Sequence, residues 1–170
     1  MKKLLVVLFC VGLLACSKES DVNDIFIATD AEGCSDFGVY TFNSGKSVGI
    51  GIYGDKDLME LDMTNKSFDL STVNPDHLSV IIKEFSKGGG RFSCGNLGGE
   101  DSRVVHSWTA ESGTVSIQIT DTMPIPDDSV FYNVNVTLQN VRFKHDRKNK
   151  YLTLEALELT NVTTGGNYVP

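Results

Sequence analysis

Three histidines, one glycine-lysine-serine turn and a scatter of carboxylates are the side chains of this sequence with chemistry in reach. His77, His106 and His145 are widely separated, and none sits in the HxH or HExxH spacing that places two imidazoles on one metal ion. Each reads as a solvent-facing or edge residue unless the fold gathers them. Ser44-Gly45-Lys46-Ser47 ends like a phosphate-binding loop, but the first glycine of that motif would fall at Tyr40. The motif also needs a helix to present its amide N–H groups, whereas Val48-Gly49-Ile50-Gly51-Ile52 has the pattern of a strand, so a hairpin turn is expected. No GxSxG elbow occurs. Acids cluster around Cys34 (Asp30, Glu32, Asp36), at Asp55 and Asp57, at Glu100 and Asp101, and at Asp121, Asp127 and Asp128. Calcium takes roughly six to eight oxygens; none of these sets has EF-hand spacing, so they read as solvated loop acids. If any binds calcium, it is Asp121, Asp127 and Asp128. The expectation is a binding protein with no cofactor and no metal, not an enzyme.

Whatever binds must be carried on strands. Val48, Ile50 and Ile52 alternate with Gly49, Gly51 and Tyr53, and Val115, Ile117 and Ile119 alternate with Ser116 and Gln118. A period of two puts one set on one face and marks half-buried strands. The clearest run is 130–138, apolar at even positions; past Asn140 the parity flips to Val141 and Phe143, which predicts a bulge. Residues 151–159 flip in the same way, from Leu152 and Leu154 to Leu157 and Leu159. With the polar stretch 144–150 between them, the two runs read as a long antiparallel hairpin with matched kinks. Its outward face would carry Phe131, Asn133, Asn135 and Thr137, amide and hydroxyl groups suited to sugars or to a partner strand. Further strands are expected at 25–29, 38–43, 58–63, 78–85 and 104–110, with turns at Asn43-Ser44-Gly45, Asn74-Pro75-Asp76 and Ser112-Gly113. The glycine-rich stretch 88–99 is a candidate recognition loop. The expected fold is all-β, an antiparallel β-sandwich or open barrel of about eight to nine strands.

Lys2 and Lys3 precede an uncharged apolar run, 4–14. It is shorter than the about 20 residues of a membrane-spanning helix and suits the apolar region of a secretory signal peptide. Its end, Leu13-Leu14-Ala15-Cys16, resembles the lipobox of bacterial lipoproteins: an aliphatic residue three before the cysteine, small or apolar residues, then Cys. The resemblance implies cleavage before Cys16, with a diacylglycerol thioether and a further acyl chain on that residue. One acyl chain anchors a protein marginally, whereas two or three hold it stably. Ser17 stands where an inner-membrane retention Asp would be, so the implied address is the outer membrane of the cell envelope. The expected organisation is a signal peptide over 1–15, a lipidated cysteine and flexible tether over 16–23, and a single β domain over 24–170.

Loss of Lys2 and Lys3 leaves 15 − 2 = 13 basic side chains against 22 acidic, a formal charge of 13 − 22 = −9. Such a chain lacks the cationic surface that phosphate binding requires, so nucleic acid is not an expected partner. Nor is electrostatic attraction to anionic lipid expected; the acyl chains must do the anchoring. Cys10 departs with the signal and Cys16 takes the lipid, leaving Cys34 and Cys94. In an oxidising compartment such a pair reads as one disulfide. It would close a loop of about 60 residues, worth on the order of 4 kcal/mol. Two free thiols are the alternative; a metal pair lacks neighbouring ligands. The functional expectation is a lipid-anchored envelope module that recognises an envelope protein or a glycan. The alternative is a periplasmic inhibitor or immunity protein that blocks a toxin or lytic enzyme, its acidic field complementary to a basic active site.

Overall fold

The computed structural model describes residues 20–21, 30–34, 37–55, 65–86, 104–124 and 130–165, and none of these is helical. They form β1 (Ser20–Asp21), β2 (Glu32–Cys34), β3 (Phe37–Phe42), β4 (Val48–Gly54), β5 (Asn65–Asp69), β6 (Leu78–Phe85), β7 (Val104–Pro124), β8 (Val130–His145) and β9 (Tyr151–Gly165). All belong to one sheet, ordered β1-β9-β8-β7-β6-β4-β3-β2, with β5 paired to β7. Every pairing is antiparallel except that of β1 with β9, which is parallel. The all-β expectation holds, in its open-barrel form: a half-barrel in one sheet, with no second sheet among the described residues.

Alternation dictates which side is filled. Val134, Val136 and Leu138 of β8 are fully buried, as are Val141 and Phe143 beyond the parity change. Asn140 absorbs that change with a φ of 51°, a left-handed conformation that asparagine tolerates better than most residues. On β7 the register shifts between Ala110, Ser112 and Thr114 at the same level. There Gly113 has a φ of 116°, and an added Cβ would lie 2.6 Å from Val141 Cα. Ser112-Gly113 is therefore a bulge and not the turn expected; β7 is one strand of 21 residues where two were anticipated. β9 follows β8 in register, with Phe143 opposite Leu152, Val141 opposite Leu154 and Leu138 opposite Leu157, so the long hairpin with matched kinks is present.

The concave core gathers Val39, Ile50, Ile52, Val80, Ile82, Val115, Ile117, Val136, Leu138 and Phe143 with their neighbours. Full burial of each such side chain stabilises the fold by about 1.5–3 kcal/mol. β3 is buried on both faces: Tyr40 and Phe42 join Tyr53 and Phe85 in a second cluster on the convex side. At the seam, the β2–β3 hairpin reaches the end of β9. A Cβ on Gly33 would fall 2.0 Å from the Thr163 carbonyl oxygen, so only glycine fits this approach.

Three strands fall outside the expected set. β1 lies in the stretch read as a flexible tether, yet it pairs with β9. β2 and β5 are short and mostly polar, Glu32-Gly33-Cys34 and Asn65-Lys66-Ser67-Phe68-Asp69, so their sequences carry little period-two signal. The strands expected at 25–29 and 58–63 and the glycine-rich stretch 88–99 lie outside the described residues.

Candidate binding face

The convex face of β5, β7, β8 and β9 is a polar ladder. Register places Ser67, Ser116, Thr137 and Glu158 in one row across the four strands, and Asn65, Gln118 and Asn135 in the next. Beyond a bulge at Ile119/Asp121, Asp121, Asn133 and Thr163 form a third row, and Met123 faces Phe131 at the end. Glu158 is the only charge in the first two rows. Met123 and Phe131 are 40% and 37% exposed, two of three large apolar side chains among the described residues that are open to solvent. All four residues singled out in the sequence, Phe131, Asn133, Asn135 and Thr137, therefore share this face.

Hydrogen bonds fix how the amides are presented. The Asn161 backbone N–H donates to Asn135 Oδ1 at 2.9 Å, and Asn161 sits in a left-handed bulge with φ 55°. A backbone N–H can only donate, so the Asn135 oxygen is committed sideways to β9 and its NH2 group is the part left to make further bonds. Thr163 Oγ1 donates to Asn133 Oδ1 at 2.8 Å, which orients Asn133 alike. At the Ile119/Asp121 bulge the Thr120 hydroxyl donates to the Asn133 carbonyl at 3.0 Å. Ser116 and Ser67 hydroxyls lie 3.3 Å apart across β7 and β5. The face is thus a row of oriented donors and hydroxyls beside two apolar side chains.

Two of the three histidines do converge. His145 is buried, and its ring lies 5.2 Å from those of both His106 and Trp108. The Arg147 N–H donates to His145 Nδ1 at 2.9 Å, so that nitrogen is unprotonated and Nε2 carries the hydrogen. Nε2 in turn faces His106 Nδ1 at 3.2 Å and donates to it. Burial, then the field of His106, then that of Lys148 lower the pKa of His145, with Lys150 in the same sense and Asp146 opposing. A metal would need the His145 Nε2 lone pair, which this tautomer lacks, and no three His, Cys, Asp or Glu side chains converge among the described residues. Both lone pairs that a general base would offer at the contact are occupied. The contact joins β7 to the end of β8. The burial of His145, though not its contact with His106, had a signal in the sequence: the flipped parity that buries Val141 and Phe143 continues to His145.

The remaining candidates are dispersed. His77 is exposed at the opposite end of β6 from this pair, its Nδ1 bonded to the Asp55 carboxylate. Ser44-Gly45-Lys46-Ser47 is the β3–β4 turn, organised by Asn43 Oδ1, which accepts the N–H groups of Ser47 (2.9 Å) and Val48 (3.1 Å). Asp121 is exposed on the face and accepts the Thr122 N–H; Asp127 and Asp128 lie outside the described residues, as do Cys16 and Cys94. Cys34 ends β2 and is half-buried at the seam.

Comparison finds no matching family model, no matching curated protein and no matching solved structure.

Proposed function

We propose that this chain is a lipid-anchored module of the bacterial cell envelope that binds a glycan strand across the convex face of β5, β7, β8 and β9, without turning it over. The observation that carries this reading is the commitment of the Asn135 and Asn133 oxygens to β9, along the face and beside Phe131 and Met123. The remaining NH2 groups and hydroxyls meet the acceptor and donor needs of sugar hydroxyls, and the Phe131 ring offers an apolar surface for the C–H face of a sugar. The near absence of charge in the central rows favours a neutral segment of glycan over a strongly charged partner. An envelope protein on the same face is the other outcome of a binding test. The inhibitor reading has less behind it, since the rigid plugging loop it calls for would be 88–99, outside the described residues.

The anchor in this reading is Cys16, acylated after removal of 1–15, with an outer-membrane address. Its support is the Leu13-Leu14-Ala15-Cys16 sequence. A disulfide between Cys34 and Cys94 would tie the connection between β6 and β7 to β2 at the seam.

Two experiments test the parts separately. Fatty-acid labelling in a bacterial host should mark the native chain and not Cys16→Ser; label on the serine variant would remove the anchor. Purified mature protein should co-sediment with isolated envelope polysaccharide and release no product from it. Product release that a single polar substitution abolishes would replace this reading with an enzymatic one.

A further inference from the structure

The cations of this acidic chain are unevenly placed. Arg142, Lys144, Arg147, Lys148 and Lys150 fall within nine residues whose only acid is Asp146, a local charge of 5 − 1 = +4. The fold makes this segment the end of β8 and the turn into β9. Arg142 lies over the Tyr151 ring at 3.8 Å, and Lys144 Nζ pairs with Glu111 at 3.2 Å, so these two are tied to the sheet. Arg147, Lys148 and Lys150 are exposed on the turn and form no ion pair among the described residues. The turn itself is held: the Asp146 N–H donates to the Ser107 carbonyl, the Thr109 hydroxyl donates to the Asp146 carboxylate at 3.0 Å, and the Arg147 N–H donates to buried His145. Lys46, exposed on the β3–β4 turn, stands at the same end of the sheet, where Val48 pairs with Glu84 and Glu84 with His106.

The chain also enters the sheet at this end. β1 runs parallel to β9, Ser20 opposite Leu152 and Asp21 opposite Thr153, and β9 starts directly after the cationic turn. Cys16 precedes Ser20 by four peptide steps, a reach of at most about 14 Å. A lipid on Cys16 therefore enters the bilayer within reach of Arg147, Lys148 and Lys150.

We propose that the β8–β9 turn is a docking surface for the anionic headgroups of phospholipids and sets the domain upright on the membrane; the inference rests on the acylation of Cys16 proposed above. Net charge does not decide this, because the Debye length is about 8 Å at physiological ionic strength and acids at the far end of the sheet are screened from the headgroups. Each Lys or Arg near an anionic surface strengthens attachment about five-fold. At about 3.3 Å per residue along β8, Phe131 stands up to about 45 Å farther from the bilayer than His145. The polar face is thereby presented outward, its apolar end leading.

The test uses the acylated chain reconstituted in vesicles of phosphatidylcholine alone or mixed with phosphatidylglycerol, with a quencher on the headgroups. A fluorophore at position 149 should be quenched several-fold more in the anionic vesicles, and this excess should vanish with Arg147→Glu/Lys148→Glu/Lys150→Glu or at high salt. A fluorophore at position 123 should report no difference. Equal emission from position 149 in both lipids, with the protein retained on both, would overturn docking while leaving the anchor standing. A chain that washes off phosphatidylcholine vesicles would instead refute the anchor. Co-flotation with phosphatidylglycerol vesicles then reads the turn alone: a fall of at least about five-fold per reversed charge supports docking, and no fall overturns it.

Discussion

The Thr164 hydroxyl accepts the Gly38 N–H at 3.2 Å and donates to the Gly38 carbonyl at 3.0 Å, joining β9 to β3 across 126 residues of chain. Thr164 is 1% exposed, and the Cys34 carbonyl lies 3.3 Å from the same oxygen. One buried side chain thus closes the seam of the half-barrel. Thr164→Val keeps the shape and removes the partner, so denaturant unfolding should show a loss of about 1–3 kcal/mol. Thr164→Ser should recover most of it; a full loss in Thr164→Ser with none in Thr164→Val would assign the effect to the methyl group instead.

His145 makes stability depend on pH in a defined direction. Its folded pKa is lowered, chiefly by burial, whereas the unfolded side chain titrates near about 6.5. As pH falls through that range the unfolded chain takes up the proton first, so the contribution is complete above it and is lost below, by at most about 1.4 kcal/mol per pH unit. Urea midpoints at about pH 7.5 and about pH 5.5 should differ for the native protein and converge for His145→Gln, whose amide can still accept the Arg147 N–H. Asp69, whose carboxylate is held below its usual range first by the Ser71 hydroxyl and then by the Ser71 amide, responds only at lower pH and does not confuse the comparison.

Gly113→Ala should be among the more damaging small substitutions. It places a Cβ 2.6 Å from Val141 Cα at a φ of 116°, conditions that no rotamer change relieves. A loss of about 1–3 kcal/mol is expected from thermal unfolding. Asn140→Gly, at the facing bulge with its φ of 51°, should be near neutral by comparison.

Long alternating runs were legible from sequence because burial on one face imposes a period of two. The β8–β9 hairpin, its kink at Asn140 and the shared face of Phe131, Asn133, Asn135 and Thr137 all follow from that. Ser112-Gly113 misled because glycine in a bulge and glycine in a turn leave the same local trace; the difference lies in the partner strand, where Asn140 makes the matching irregularity. β1, β2 and β5 owe their places to backbone pairing with β9, β3 and β7, and polar edge residues write no pattern for that. Whether the strands formed a sandwich or an open barrel depended on how far one sheet curls to bring β9 against β2 and β3, a long-range property. The His106–His145 contact was hidden for the same reason, since 39 residues of separation close only through the β7–β8 register.

The most direct measurement of the central claim is a titration of isotope-labelled Cys16→Ser protein with neutral envelope oligosaccharides, followed residue by residue by nuclear magnetic resonance. Saturable shifts should map to Ser116, Gln118, Phe131, Asn133, Asn135 and Thr137. Phe131→Ala should weaken binding at least about ten-fold while costing only about 1–2 kcal/mol of stability, because the ring is 37% exposed. Shifts confined to other faces, or an affinity unchanged by Phe131→Ala, would contradict the assignment of this face.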